Sequence, residues 1–215
     1  MKPYYDSGGI TIYHGDCREI LPHLPKCELL CTDPPYGIGA TRMQLGNGKR
    51  KLFRGEEAWD DAAPPPWLLD WLRELTDHQI IWGGNYFGLC PSRCWLVWDK
   101  GTGDNDFADC ELAWTNLDRV VRKFFHSWVG ANAKERNEGD RFHPTQKPVP
   151  LMRWCIEASN TTGTVLDPFM GSGTTLVAAK SLGRRAIGIE REERYCEIAA
   201  KRLSQGVLFG IGGAA

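Results

Sequence analysis

An α/β domain on a doubly wound, mostly parallel sheet is what the sequence predicts, and three observations carry that expectation. Short apolar runs alternate with amphipathic helical stretches at both ends of the chain, the pattern of strands joined by crossover helices. Four carboxylates, Asp16, Asp33, Asp167 and Glu190, stand where such a run ends. The length, 215 residues, suits one domain with a good core and a small insertion, but hardly two, so residues 1–215 are read as a single domain.

Ile10 to Tyr13 has strand composition and runs into Gly15-Asp16, after which Cys17 to Leu21 makes one or two helical turns. Asp16 has two readings here. With Glu19 three residues on it forms a capping box; it is also a carboxylate at the carboxyl edge of a sheet, where open α/β folds bind ligands. Leu29-Leu30-Cys31 is a short buried strand that ends in Asp33-Pro34-Pro35-Tyr36. Both proline rings fix φ near −65°, and Pro35 keeps Pro34 out of the helical region. The corner is therefore rigid, rich in hydrogen-bond acceptors and flanked by an aromatic face, which suits a flat ring carrying an amino group.

Gly37 to Ala40 opens a loop containing Arg42, Lys49, Arg50, Lys51 and Arg54, followed by the acidic group Glu56, Glu57, Asp60 and Asp61. It reads either as a mobile basic clamp on a phosphate backbone or as an ordinary solvated loop. Pro64-Pro65-Pro66 starts a helix running from Trp67 to about Asp77, with Trp67, Leu68, Trp71, Leu72 and Leu75 on one apolar face. Gln79 to Trp82 and Cys94 to Trp98 are strands, and strand-helix-strand order implies parallel pairing. From Gly101 to Arg141 the alternation fades. Cys110 to Trp114 and Val120 to Phe125 look like a strand pair, Lys134 to Arg141 is polar, and the whole is expected to be an insertion or a sheet edge. Arg122, Lys123 and Arg136, among Phe124, Phe125 and Trp128, make a second basic-aromatic region. Core aromatics on a hairpin would explain it too.

Alternation returns with a helix at Leu151 to Ala158, a strand at Thr164 to Leu166, a helix at Gly173 to Leu182, a strand at Arg185 to Ile189 and an amphipathic helix at Glu192 to Leu203; the tail from Gly206 is expected to fray. Asp167-Pro168-Phe169-Met170-Gly171-Ser172-Gly173-Thr174 lies between a strand and a helix, where glycines let the backbone approach a ligand and the helix start offers free N–H groups. The dinucleotide and P-loop patterns are not met: Leu176 stands where a third glycine is needed, and Gly-Lys-Ser/Thr is missing. Glu190, about twenty residues after Asp167, sits where an acidic side chain accepts from a ribose diol, or where the last helix is capped. His143-Pro144-Thr145-Gln146-Lys147-Pro148 is a Pro-bracketed turn whose Thr145 and Lys147 could bind a carboxylate.

The formal charge of −1 means that any nucleic-acid contact rests on local basic patches. Eight cysteines, mostly inside apolar runs (Cys31, Cys94, Cys110, Cys155, Cys196), favour buried free thiols over a disulfide framework, and no second Cys/His pair joins Cys90 and Cys94 at zinc-ligand spacing. With no signal peptide and no apolar run long enough to span a bilayer, a cytoplasmic protein is expected.

Four motifs in this order, Asp33-Pro34-Pro35-Tyr36, Trp82-Gly83-Gly84-Asn85-Tyr86-Phe87, His143-Pro144-Thr145-Gln146-Lys147-Pro148 and Asp167-Pro168-Phe169-Met170-Gly171-Ser172-Gly173, resemble the amino-methylating DNA methyltransferases of the permuted β group. The resemblance covers about residues 10 to 204. It implies a seven-stranded, circularly permuted fold dependent on S-adenosylmethionine, with the strand before Asp16 third in the sheet. It implies that Asp16, beside Cys17, binds the cofactor adenine and Glu190 the ribose. It gives the turn from Asp167 through Pro168, Phe169, Gly171, Ser172 and Gly173 to Thr174 the methionine moiety, with the His143-Thr145-Gln146-Lys147 motif at its carboxylate. Asp33 and the Pro34 carbonyl would accept the two N–H protons of an exocyclic amine, turning its lone pair toward the sulfonium methyl, while Tyr36, beyond Pro35, stacks on a flipped base for ~1–3 kcal/mol. The activity implied is methylation of adenine N6 in double-stranded DNA. Cytosine N4 presents the same amine, although Asp rather than Ser at 33 resembles the adenine enzymes. A catalytically silent DNA-binding protein of this fold is a further alternative, as is an RNA or protein amine methyltransferase, for which Asn at 33 would be more typical. Segments 38–60 and 101–141 are the DNA-contacting regions, short enough to imply a short recognition site or help from the second subunit of a homodimer. No nuclease domain fits this length, so either a solitary enzyme, phage- or prophage-encoded, or the methyltransferase of a restriction-modification system is expected.

Overall fold

The structure, a computed structural model, describes residues 1–39, 44–45, 50–51, 60–101, 108–127 and 146–205. In chain order the elements are β1 (Tyr5–Ser7), β2 (Ile10–His14), α1 (Cys17–Ile20), β3 (Cys27–Thr32), β4 (Gln44–Leu45), β5 (Arg50–Lys51), α2 (Pro66–Glu74) and β6 (Thr76–Trp82). There follow β7 (Trp95–Asp99), β8 (Cys110–Thr115), β9 (Arg122–Phe125), α3 (Val149–Ser159), β10 (Val165–Asp167), α4 (Thr174–Ser181), β11 (Ala186–Glu190) and α5 (Glu193–Ser204). One sheet takes nine strands in the order β1-β2-β11-β10-β3-β6-β8-β7-β9. The expected seven lie between β1 and β9, which add one strand at each edge; the strand before Asp16, β2, is second in this order and the outermost of the seven, not third, because β11 is its only parallel neighbour and β1 pairs antiparallel on its other side. Five neighbours from β2 to β6 run parallel, and β8 is antiparallel to both β6 and β7.

The central strands are apolar on both faces because both faces are covered. Along β3, Leu29 and Cys31 join one core with Ile80 and Trp82 of β6 under α3, α4 and α5. Leu30 points the other way, to a second core with Ile81, Leu68 and Leu72 of α2, and Ile20. This alternation makes the sheet the middle layer of three and leaves the carboxyl ends of β2, β3, β10 and β11 along one edge.

Several expectations are corrected by pairing between distant segments. Helix α2 ends at Glu74 instead of Asp77, because Thr76 already pairs with Cys27 and pulls the chain into β6. Its buried face is Leu68, Leu69 and Leu72, while Trp67 is exposed. The runs at 110–115 and 122–125 do not pair with each other: both flank β7, β8 antiparallel and β9 parallel, so this region is a sheet edge and not a hairpin. Phe124 stacks on Trp154 of α3, whereas Phe125 is exposed. All eight cysteines are free thiols, six of them buried; Cys110 is exposed, contrary to expectation, because it opens β8 at the margin of the sheet. Among the described residues no helix is long and apolar enough to cross a membrane. The polar run 134–141 and the tail from 206 lie outside the described residues.

Candidate active site

The carboxyl edge of the sheet opens into a cavity of about 570 Å³, walled by Pro35, Leu68, Met152 and Phe169 and bearing the carboxylates of Asp16, Asp33, Asp167 and Glu190. These groups come together because β2, β11, β10 and β3 are parallel neighbours, so four separate chain segments end at one level.

At one side Asp16 caps α1, accepting from the Arg18 amide (2.9 Å) and from the Arg18 guanidinium, whose hydrogen bonds hold its carboxyl below the usual range. The cap fixes the position of Asp16, and the cavity gives its carboxylate an open side. Glu190 accepts from the backbone amides of Gly171 (2.9 Å) and Glu192 (2.8 Å), which aims its carboxylate across the turn; burial raises its pKa.

The turn after β10 is built by Asp167 from within. Its Oδ1 accepts from Thr32 Oγ1 (2.7 Å) and the Phe169 amide (3.2 Å), so it ties the end of β10 to the end of β3 instead of facing solvent. Gly173 caps α4 at φ +78°, and a Cβ there would sit 2.7 Å from Ala199 Cβ of α5, which makes glycine a requirement of helix packing as well as of the turn. Ser172 Oγ donates to Gln146 Oε1 (3.0 Å), and Arg202 of α5 donates to the Ser172 carbonyl (2.6 Å). The sequence gives Arg202 no signal of this role beyond its place on an amphipathic helix.

Burial raises the Asp167 carboxyl to about 6 despite the hydrogen bonds from Thr175 and Thr32. Its folded pKa exceeds its unfolded one, so its contribution to stability is full below about pH 4 and lost as the pH rises through 6. In denaturant titrations of ligand-free protein, Asp167→Asn should flatten this part of the stability profile, a difference of about 2–3 kcal/mol between pH 4 and 8.

The Asp33 corner is a network of half-buried charges around the buried Lys147 ammonium. Asp33 Oδ1 accepts from the Tyr36 hydroxyl (2.7 Å), and Oδ2 takes the Lys147 ammonium (2.7 Å). Lys147 Nζ is also 3.0 Å from Glu111 Oε2 and donates to the Tyr36 hydroxyl at 3.1 Å, while Lys100 Nζ is 2.5 Å from Glu111 Oε1. Burial raises the Asp33 carboxyl against the pull of Lys147. Burial would raise Glu111 too, yet the ammonium groups of Lys147 and Lys100 hold it at about 2. The backbone of the corner hangs on Asp60, whose Oδ1 accepts from the amides of Tyr36 (2.7 Å) and Gly37 (3.0 Å). Glu111 and Asp60 are both missed by the sequence reading. Their only signal is a carboxylate in a strand pattern and another in an acidic loop.

The remaining expected residues divide clearly. Pro35, Cys17, Gln146, Lys147 and Pro168 line the cavity together with Gly171, Ser172 and Thr174. Pro34 is buried beside it. Tyr36 is taken up as an internal donor and stacks on Tyr86 (5.1 Å between centroids, 21° between planes), and Tyr86 is the half-exposed ring of the two. Lys147 faces Asp33 and Glu111, a different setting from the ligand carboxylate implied for it. His143 and Thr145 lie outside the described residues, as do Arg42, Lys49, Arg54 and Arg136. Arg50 and Lys51 form β5, paired antiparallel with β4; Arg122 and Lys123 are exposed on β9, Lys123 beside Asp99 (3.0 Å).

Comparison with known proteins decides the family. A profile described as DNA methylase, of the N6/N4 type, matches residues 97–201. The Type II methyltransferase M2.LlaDCHI of Lactococcus lactis subsp. cremoris is 46% identical over 258 aligned residues, which cover 98% of this chain and 95% of that one. The chain belongs to the N6/N4 family of DNA methylases. The Type II methyltransferase M.HinfI of Haemophilus influenzae is 28% identical over 91% of this chain and 68% of its own. Among solved structures, the M1.HpyAVI–SAM complex matches at a TM-score of 0.59 with 25% identity, covering 91% of this chain and 99% of that one. The cytosine-N4-specific PvuII DNA methyltransferase matches in fold at 0.60 with 18% identity, covering 96% and 90%. For this DNA methylase the substrate is therefore duplex DNA.

Proposed function

We propose that this chain is a DNA adenine-N6 methyltransferase that moves the methyl group of S-adenosylmethionine to an adenine flipped out of duplex DNA. The observation that carries the proposal is the placement of Asp33, a half-buried carboxylate at the rim of a cavity whose other end offers Asp16 and Glu190. The cavity suits the methyl donor: its volume is in the range of nucleotide-sized sites, and apolar walls at Pro35, Leu68, Met152 and Phe169 stand beside carboxylates held in place by hydrogen bonds. Asp16 would meet the adenine of the donor, Glu190 its ribose diol, and the turn from Asp167 to Thr174 its methionine end. When bound, S-adenosylmethionine supplies an electrophilic methyl on a sulfonium.

The residues of the chain prepare the nucleophile. An exocyclic amine is weakly nucleophilic because its lone pair is delocalised into the ring. Accepting its N–H protons at Asp33 and the Pro34 carbonyl restores that lone pair to nitrogen, and the rigid corner aims it. Burial keeps Asp33 basic enough to be a strong acceptor, and Tyr36 fixes one of its oxygens. The donor face toward DNA would be the half-exposed Tyr86 ring together with the segments 38–60 and 101–141. Asp at 33 supports adenine; cytosine N4 is the second reading, since it offers the same two-hydrogen amine.

Transfer of labelled methyl from S-adenosylmethionine to unmethylated duplex DNA, followed by nucleoside analysis, tests this directly. Label in N6-methyladenine is expected; label in N4-methylcytosine supports the second reading, and no label in either sinks both. Glu190→Ala, which removes a half-buried charged acceptor, should weaken donor binding about tenfold to a hundredfold in calorimetric titration.

A further inference from the structure

We propose that Glu111 is a positioning residue for methyl transfer, anchored by Lys100 and holding the Lys147 ammonium so that Asp33 is free to accept from the incoming amine. The inference rests on the methyltransferase reading of the Asp33 corner and adds to it a part that no motif names.

Two carboxylates share one ammonium at this site: Lys147 Nζ lies 2.7 Å from Asp33 Oδ2 and 3.0 Å from Glu111 Oε2. Lys147 has almost no exposed side chain, so it cannot leave for water. An amine arriving at Asp33 must compete with that cation, because both donate to the same oxygens. A lysine paired to Asp33 alone would be a poor neighbour for an acceptor. Glu111, already in contact with the ammonium at 3.0 Å, provides the alternative seat. A second cation, Lys100, holds the far oxygen of Glu111 at 2.5 Å, so this carboxylate stays in place whether or not Lys147 leans on it. The four charges sum to zero, which lets a buried cluster persist. The environments of the two carboxylates diverge as such a division of labour requires: Glu111 is held at about 2, permanently a counter-ion, whereas burial leaves Asp33 the more basic.

Glu111→Gln keeps the side chain's size and removes its charge. Lys147 should then settle on Asp33, and kcat at saturating donor and duplex should fall about tenfold or more, while equilibrium binding of S-adenosylmethionine and of duplex changes little. The double variant Glu111→Gln/Lys147→Met removes the quenching cation and should regain several-fold in kcat over Glu111→Gln. A merely structural role would leave the double variant no better than the single. Thermal unfolding establishes that the variants are folded; should Glu111→Gln fail to fold, Lys100→Met takes its place, with a lower kcat expected. A Glu111→Gln or Lys100→Met enzyme with wild-type kcat, or a double variant no faster than Glu111→Gln, overturns the inference alone. A wild-type chain that labels no DNA amine overturns the methyltransferase reading and the inference with it.

Discussion

Asp33→Ala is expected to lower the single-turnover rate of methyl transfer by about three orders of magnitude, in line with the loss of one preorganised polar group at a reacting centre. The geometry explains why the loss should fall on the rate and not on binding. Asp33 lines the cavity and, on the proposed reading, stands between the methyl donor and the target base, while none of the groups that reading gives to the donor's adenine or ribose depends on it for support: Asp16 is fixed by Arg18, and Glu190 by the amides of Gly171 and Glu192. The fold should tolerate the change. Burial works against an ionised Asp33, and Lys147 keeps Glu111 as a partner when Asp33 is gone. Asp33→Asn makes the sharper comparison. It preserves shape and one acceptor oxygen but turns an N–H group toward either Lys147 or the amine, so it should recover only a small part of the rate. Labelled S-adenosylmethionine and pre-incubated duplex in rapid-quench experiments would read both variants, with affinities measured separately. An Asp33→Ala protein within tenfold of the wild-type rate would show that the amine is prepared by some other group.

How much of this site could be read from residues alone follows from how far apart its parts are in the chain. The strand at Leu29-Leu30-Cys31, the rigid corner after it and the glycine turn after β10 are local features, written in proline, glycine and short apolar runs. The order of the motifs carried the family. The supports of the corner are not local. Asp60 holds the Tyr36 amide across 24 positions, and Glu111 reaches Lys147 from a strand that enters the sheet between β6 and β7. No periodicity announces that β8 inserts there, because its antiparallel pairing with both neighbours is decided by the whole sheet edge. For the same reason α2 ends early: Thr76 and Asp77 have no strand signal of their own, and it is the register with Cys27 and Leu29 that recruits this stretch into β6. Lys147 shows the limit most plainly. Its motif suggested a carboxylate ligand, yet burial beside two carboxylates of the chain itself sets its partners.

Gly83→Ala should couple stability to catalysis through one added methyl group. Gly83 has φ +69°, a conformation that costs an L-residue about 1–2 kcal/mol. It follows β6 and starts the turn that presents Tyr86. A Cβ there would lie 2.2, 2.4 and 2.7 Å from Cε1, Cδ1 and Cζ of Tyr36, so one of the two must move. The ring has little room: it stacks on Tyr86, meets Phe87 edge-on at 6.3 Å between centroids and is tied by its hydroxyl to Asp33. Overpacking of this kind adds about 1–3 kcal/mol, for a total near 2–5 kcal/mol by chemical denaturation. Any shift that relieves the clash draws the hydroxyl from Asp33 or the backbone from Asp60, so the transfer rate should fall by tenfold or more in the same protein. A double-mutant cycle separates the two contributions. In a Tyr36→Ala background, where the ring is gone, Gly83→Ala should cost only the conformational 1–2 kcal/mol. Equal costs in both backgrounds would mean that the glycine serves the turn alone. A smaller cost without Tyr36 would place the requirement for glycine in the contact between β6 and the Asp33 corner, and would make the Trp82-Gly83-Gly84 motif part of the machinery that keeps the acceptor aimed.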